Sequence, residues 1–274
     1  MLSTLRTTAH PFEEFQVRHE CELATRYQRT RSQRCIESQR HPRASTMRRI
    51  FCYGSVAGFM LLAGCASETL FQSNFDPTPV GQPPSHVQQV GTANIDGPAG
   101  SVVVVAPPVT PSGKWVQISR PNGPAVAGLQ GNFSQFRGDG DYTFSTILYI
   151  PSRSGLATIQ FETFNQPVSS VSSFLHLDFM QDNRVRIDDN DATTFGSFPR
   201  DQVFIVQVTL NINASSPTAH IVLSGAGASG QADYNIIPPL RPMAQQFGAL
   251  RVWMGFLWTG SFDATNIVVT RNTQ

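Results

Sequence analysis

The sequence predicts an all-β fold, an antiparallel two-sheet β-sandwich of jelly-roll type, set after a disordered N-terminus, a short apolar helix and a flexible tether. The first observation is the stretch 203–213. There Phe204, Val206, Val208, Leu210 and Ile212 share one face while Gln207, Thr209, Asn211 and Asn213 share the other, the period-2 mark of a half-buried strand. The second is that β-branched and aromatic runs follow one another from residue 101 to 270, separated by Pro, Gly, Asn and Asp turns. The third is that no convincing amphipathic helix interrupts them, and many strands without helical crossovers mean an antiparallel sandwich or barrel.

Taken in order, residues 1–46 are rich in Arg, His, Gln and Thr and have no apolar period of 2 or 3.6. They are read as disordered, and as upstream sequence ahead of a translation start at Met47. Residues 47–65 pair Arg48 and Arg49 with an apolar run, 50–62, that is too short for an ordinary spanning helix. Leu62, Ala63, Gly64 and Cys65 close it. Residues 66–95 are Ser, Thr, Gln, Pro and Gly with few apolar residues, and read as a tether; the alternative is an ordered edge segment held by Phe71 and Phe75. The domain proper is expected over 96–274. Its strands are expected at 101–106, 114–119, 132–136, 142–150, 155–162, 174–180, 184–188, 203–213, 219–224, 249–258 and 265–270, with boundaries good to a few residues.

Charge and cysteine usage narrow the function. Residues 1–46 carry eight Arg and five Glu, but the chain after Cys65 carries ten Lys plus Arg against fourteen Asp plus Glu, a net charge of −4. A mildly acidic domain lacks the basic patch that nucleic acid requires. All four cysteines, Cys21, Cys35, Cys52 and Cys65, lie at or before residue 65. The domain therefore has no disulfide and no zinc-type Cys/His spacing, and must fold on its apolar core.

Met47 to Cys65, with its Arg pair, apolar run and Leu62-Ala63-Gly64-Cys65 ending, resembles a bacterial lipoprotein signal peptide with its lipobox. The resemblance implies export, diacylation of the Cys65 thiol, cleavage before Cys65 and attachment of the mature chain to a membrane. Ala66 and Ser67 follow, with no Asp beside the cysteine, which in that family favours the outer membrane where the host has two membranes.

A second resemblance rests on strand order. The pair 174–179 and 184–188, and the ending 248–256 with 260–270, resemble the middle and closing strands of concanavalin-A-like or laminin-G-like sandwiches, over roughly 96–271. Glycoside hydrolases on that sandwich carry Glu-x-Asp-x-Glu on one strand, where residues i, i+2 and i+4 point the same way. The nearest stretch here, 176–180, supplies Asp178 but neither Glu. No Gly-x-Ser-x-Gly elbow, phosphate loop or usable cysteine nucleophile is present.

Two constellations remain. On the strand 174–180, Leu175, Leu177 and Phe179 face one way and leave His176 and Asp178 on the other; near the end, Arg251 and Trp253 share a face opposite Val252 and Met254. Tryptophan beside Arg, Asp and His is a way to hold sugars, ring against ring with polar groups on the hydroxyls; packing of Trp253 in a second core layer is the plainer reading. Asp188, Asp189, Asn190 and Asp191 offer oxygen ligands for Ca²⁺, or a solvated turn. The expected role is non-catalytic binding of a glycan or other surface ligand by a lipid-anchored envelope protein. A glycan-active hydrolase or lyase on the same fold, and an assembly lipoprotein that binds another envelope protein, are the alternatives.

Overall fold

The computed structural model describes residues 66–109, 113–120, 125–163, 173–255 and 258–273, all within one unit of the chain. Residues 1–46 and the expected signal segment 47–65 lie outside them. Among the described residues fifteen strands form: β1 (Ala66–Ser73), β2 (Thr92–Asp96), β3 (Val102–Val105), β4 (Trp115–Arg120), β5 (Ala127–Asn132), β6 (Gly140–Tyr149), β7 (Ala157–Thr163), β8 (Ser173–Phe179), β9 (Val185–Ile187), β10 (Asn190–Phe195), β11 (Val203–Ile212), β12 (Thr218–Ser224), β13 (Gly230–Asn235), β14 (Phe247–Met254) and β15 (Gly260–Thr273). A 3₁₀ turn, Pro238–Leu240, and a one-turn helix, Arg241–Ala244, separate β13 from β14.

The strands make two sheets, antiparallel throughout, as the sequence predicts. One runs β13-β12-β11-β6-β15-β4-β3, with β1 also on β15; the other runs β10-β9-β8-β7-β14-β5-β2. Strand β15 organises the first sheet. One edge pairs with β6, while the other pairs with β4 through 260–264 and with β1 through 267–273. The strand predicted over 203–213 is β11, and its alternation is that of the core, with Phe204, Val206, Val208, Leu210 and Ile212 buried and Ile205, Gln207, Thr209 and Asn211 exposed. Opposite it, Phe161, Phe174, Leu177, Phe179, Phe247, Leu250 and Val252 fill the second sheet's inner face. Phe247 stands edge-on to Tyr142, Phe133 and Phe174, with centroids 4.9–5.3 Å apart, the arrangement that ring quadrupoles favour.

The expected tether is corrected by this structure. Within 66–95, β1 pairs with β15 from Ala66↔Thr273 to Ser73↔Ile267, and β2 pairs with β5. Phe71 and Phe75 are buried, so the ordered-segment alternative holds. The signal was hidden because β1 breaks its alternation at a bulge between Thr69 and Phe71, which re-aims the strand.

Strand β5 also departs from expectation, lying at Ala127–Asn132 rather than 132–136. Its glycines are demanded by neighbours rather than by turns. A Cβ on Gly131 would sit 2.7 Å from the Phe71 ring, and one on Gly128 would sit 2.6 Å from the Trp253 Cβ. Glycine-rich strands carry weak propensity but allow such close approach.

Candidate functional site

Because side chains alternate across a strand, each strand of the second sheet that feeds the core also presents residues to its outer face. Register aligns these into rows. Arg186, Asp178, Thr158 and Trp253 are successive cross-strand partners from β9 through β8 and β7 to β14. One pleat along, His176, Gln160, Arg251 and Gln130 form the next row, from β8 to β5. The four residues selected from sequence, His176, Asp178, Arg251 and Trp253, thus come together on two adjacent rows, although they come from strands far apart in the chain.

A cavity of about 220 Å³ on this face is lined by Leu156, Thr158, Gln160, His176, Asp178, Arg186, Asp189, Trp253, Gly255 and Trp258. The volume suits a ligand below drug size. Two indoles and a set of hydrogen-bonding groups define its walls. The Arg251 guanidinium lies over the Trp253 ring, 4.5 Å from the centroid, a cation–π contact that fixes the indole and leaves it half-buried. Trp253 Nε1 and Gln160 Oε1 are buried and have no hydrogen-bond partner among the described residues. One is a donor and the other an acceptor.

Asp178 anchors the polar wall. Thr158 Oγ1 donates to its Oδ1 at 2.8 Å and Arg186 Nη2 donates to its Oδ2 at 3.2 Å. Burial pushes its carboxyl up, and the Thr158 and Arg186 hydrogen bonds pull the other way. Arg186 also reaches Asp189 at 2.8 Å and Asp191 at 3.2 Å. His176 meets Gln160 at 3.4 Å and Ser173 through its Nε2.

Beside the cavity runs a second, more deeply buried polar cluster. Gln130 Nε2 donates to Glu162 Oε2 at 2.7 Å, and Arg251 Nη2 lies 3.3 Å from Asp96 Oδ2. Glu162 is 0% exposed. Burial pushes its carboxyl up to about 7, against the Gln130 hydrogen bond and the Arg251 charge. Burial also lowers Arg251, which Asp96 and Glu162 oppose.

The acidic stretch 188–191 is a hairpin turn whose side chains find partners within the chain. Asp188 and Asp189 have φ of +51° and +55° and are the two central residues of the hairpin between β9 and β10, a position that calls for two left-handed residues. The Asp188 carboxylate turns inward and accepts the His176 N–H at 2.7 Å. Asp189 and Asp191 are spent on Arg186, and Asn190 Oδ1 accepts the Ala192 N–H at 3.0 Å. Among the described residues no group of three His, Cys, Asp or Glu side chains is placed to hold a metal ion.

Sequence reasoning missed Gln160, Arg186, Glu162 and Trp258. Arg186 was visible in the alternation of Arg184-Val185-Arg186-Ile187. Trp258 was assigned to a strand, whereas β14 stops at Met254 and Trp258 lies in the connection to β15.

The fold and site define a two-sheet β-sandwich with an indole-walled polar cavity on one outer sheet face. No family model matches the sequence, and no curated protein matches it. Among solved structures the chain is similar to endo-1,3-beta-glucanase from Streptomyces sioyaensis, at 11% identity over 76% of this chain and 97% of that one, with a TM-score of 0.48. It is also similar to lectin II from Ulex europaeus (13% identity, 76% and 99% covered, TM-score 0.44). Arcelin-5, a lectin-like defense protein from Phaseolus vulgaris, gives 10% identity, 76% and 99% coverage and a TM-score of 0.45.

Proposed function

We propose that the protein is a lipid-anchored envelope protein that binds a glycan, without turning it over, in the cavity between Trp253 and Trp258. The observation that carries this reading is the cavity that Trp253 and Trp258 line together with Gln160, His176, Asp178 and Arg186. Ligand hydroxyls both donate and accept, which suits this mixed polar lining, while the indoles offer apolar area to the C–H face of a sugar ring. The anchor rests on the lipobox-like residues Leu62, Ala63, Gly64 and Cys65.

Hydrolysis fits the carboxylates less well. Paired glycosidase carboxyls stand roughly 5–5.5 Å or 6.5–9.5 Å apart. Asp178 is level with Thr158, and Glu162 lies four residues further along β7, roughly 13 Å away at the strand rise. Asp189 is nearer to Asp178, but both are held by the same Arg186 nitrogen.

The test is co-sedimentation of the purified protein with insoluble polysaccharides and peptidoglycan, with and without Ca²⁺, beside Trp253→Ala and Gln160→Ala. Binding by the parent that both variants lose, with unchanged circular dichroism, supports the reading. Retention of binding by both variants, or no binding to any glycan, refutes it.

A further inference from the structure

The ordered start of the chain carries a consequence for how the site is presented. Ala66 is already the first residue of β1, with Thr273 as its partner across the sheet. The same end of the sandwich holds the start of β6 at Gly140 and the end of β11 at Ile212, which are partners of each other. It also holds the start of β14, since Arg137 N–H bonds to Phe247 O at 3.1 Å and Arg137 pairs with Glu68 of β1, and the start of β8, since Glu162 of β7 is the partner of both Ala249 and Ser173.

The cavity lies towards the other end. Trp258 follows the last residues of β14 and precedes the first residue of β15, Gly260, whose partner is Arg120. Arg120 Nη1 in turn bonds to the carbonyl of Gly255 at 3.0 Å and to that of Trp258. Along β14, Trp253 is six residues from Phe247, roughly 20 Å at the strand rise.

We infer that the sandwich stands on the membrane by its β1-start end, without a tether, and points the Trp253–Trp258 cavity away from the lipid. This rests on the lipid-anchor reading of Cys65. An acylated Cys65 is one Cα step, about 3.8 Å, from Ala66, and Ala66 is tied into the sheet. The headgroups therefore meet the end that carries Glu68, Arg137, Asp139, Asp141, Arg271 and Phe136. That end is polar and mixed in charge. The glycan must then arrive from the aqueous side or from a facing layer. A glycolipid of the same leaflet would have its sugars at the wrong end.

The chain after Cys65 contains no other cysteine, so single labels are clean. The lipidated protein would be reconstituted in phosphatidylcholine vesicles containing a headgroup-quencher lipid. A fluorophore would be placed at Ser215→Cys, on the exposed β11–β12 connection at the anchored end, or at Arg153→Cys, on the exposed β6–β7 connection at the far end. Quenching several-fold stronger at 215 than at 153, reduced when a Gly-Ser spacer is inserted after Cys65, is the expected result. Equal quenching, or stronger quenching at 153, overturns the orientation even when flotation shows the protein on the vesicles. A chain that does not float, or that floats equally as Cys65→Ser, overturns the anchor reading itself and the orientation with it.

Discussion

Glu162→Gln separates the cost of burying a charge from the value of the network that surrounds it. The carboxyl is 0% exposed, accepts one hydrogen bond from Gln130, and has its second oxygen unpartnered. Its proton is held to about pH 7 in the folded chain against 4.5 ordinarily. Between those values the folded state binds more protons than the unfolded state, so the stability contributed by this group is greatest below 4.5, falls as pH rises, and levels off above 7. At 1.36 kcal/mol per pKa unit the loss is about 3 kcal/mol. Glutamine keeps the shape and the acceptor for Gln130 but does not titrate. For a domain of this size 1 kcal/mol moves Tm by roughly 2–4 °C. The variant should therefore gain roughly 6–12 °C relative to the parent between pH 4.5 and 8, by thermal melts in matched buffers. A Tm difference that stays constant across that range would refute the reasoning, because it would mean that the carboxyl ionises without penalty.

Asp263, on the outer face of the other sheet, is pushed by burial up to about 6, with only the Gln117 hydrogen bond opposing; Asp263→Asn should give the same sign of pH-dependent gain, finished by about pH 6. Phe71→Ala should cost about 3–5 kcal/mol, the usual loss for a fully buried ring, and a chain starting at residue 96 should be less stable still, read by urea denaturation. Gly131→Ala should cost about 1–3 kcal/mol through overpacking against Phe71, and the double change Gly131→Ala with Phe71→Leu should recover part of that loss. Asp191→Ala should lower Tm by no more than about 4 °C, since its bond to Arg186 is exposed and such pairs contribute about 0–1 kcal/mol.

What the sequence disclosed, and what it hid, follows from where partners lie. Strand β11 declares itself because both faces obey the period-2 rule, and the same alternation on β8 exposes His176 and Asp178 as outer-face residues. Strands β5 and β13 do not declare themselves. Gly128 and Gly131 answer to Trp253 and Phe71, residues more than fifty positions away, and β13 is an edge strand whose Gly230-Gln231-Ala232-Asp233-Tyr234-Asn235 buries no residue fully. Likewise the sequence offers His176, Asp178, Arg251 and Trp253 as two separate pairs. Only the order β8-β7-β14 makes them one site, and the residue that joins them, Gln160, gives no local signal. The partners of the acidic stretch are equally hidden, because its hairpin geometry and its shared Arg186 partner are both properties of the fold.

The central claim is that a glycan enters the cavity between Trp253 and Trp258, and the three indole N–H resonances test it most directly. The chain contains three tryptophans, Trp115, Trp253 and Trp258; Trp253 and Trp258 line the cavity while Trp115 lies on the other sheet. Titration of glycan fragments into ¹⁵N-labelled protein, with peaks assigned by Trp→Phe replacement, should shift the Trp253 and Trp258 signals together and leave Trp115 in place. Glycan binding that moves Trp115 alone, or that moves none of the three, would contradict the account.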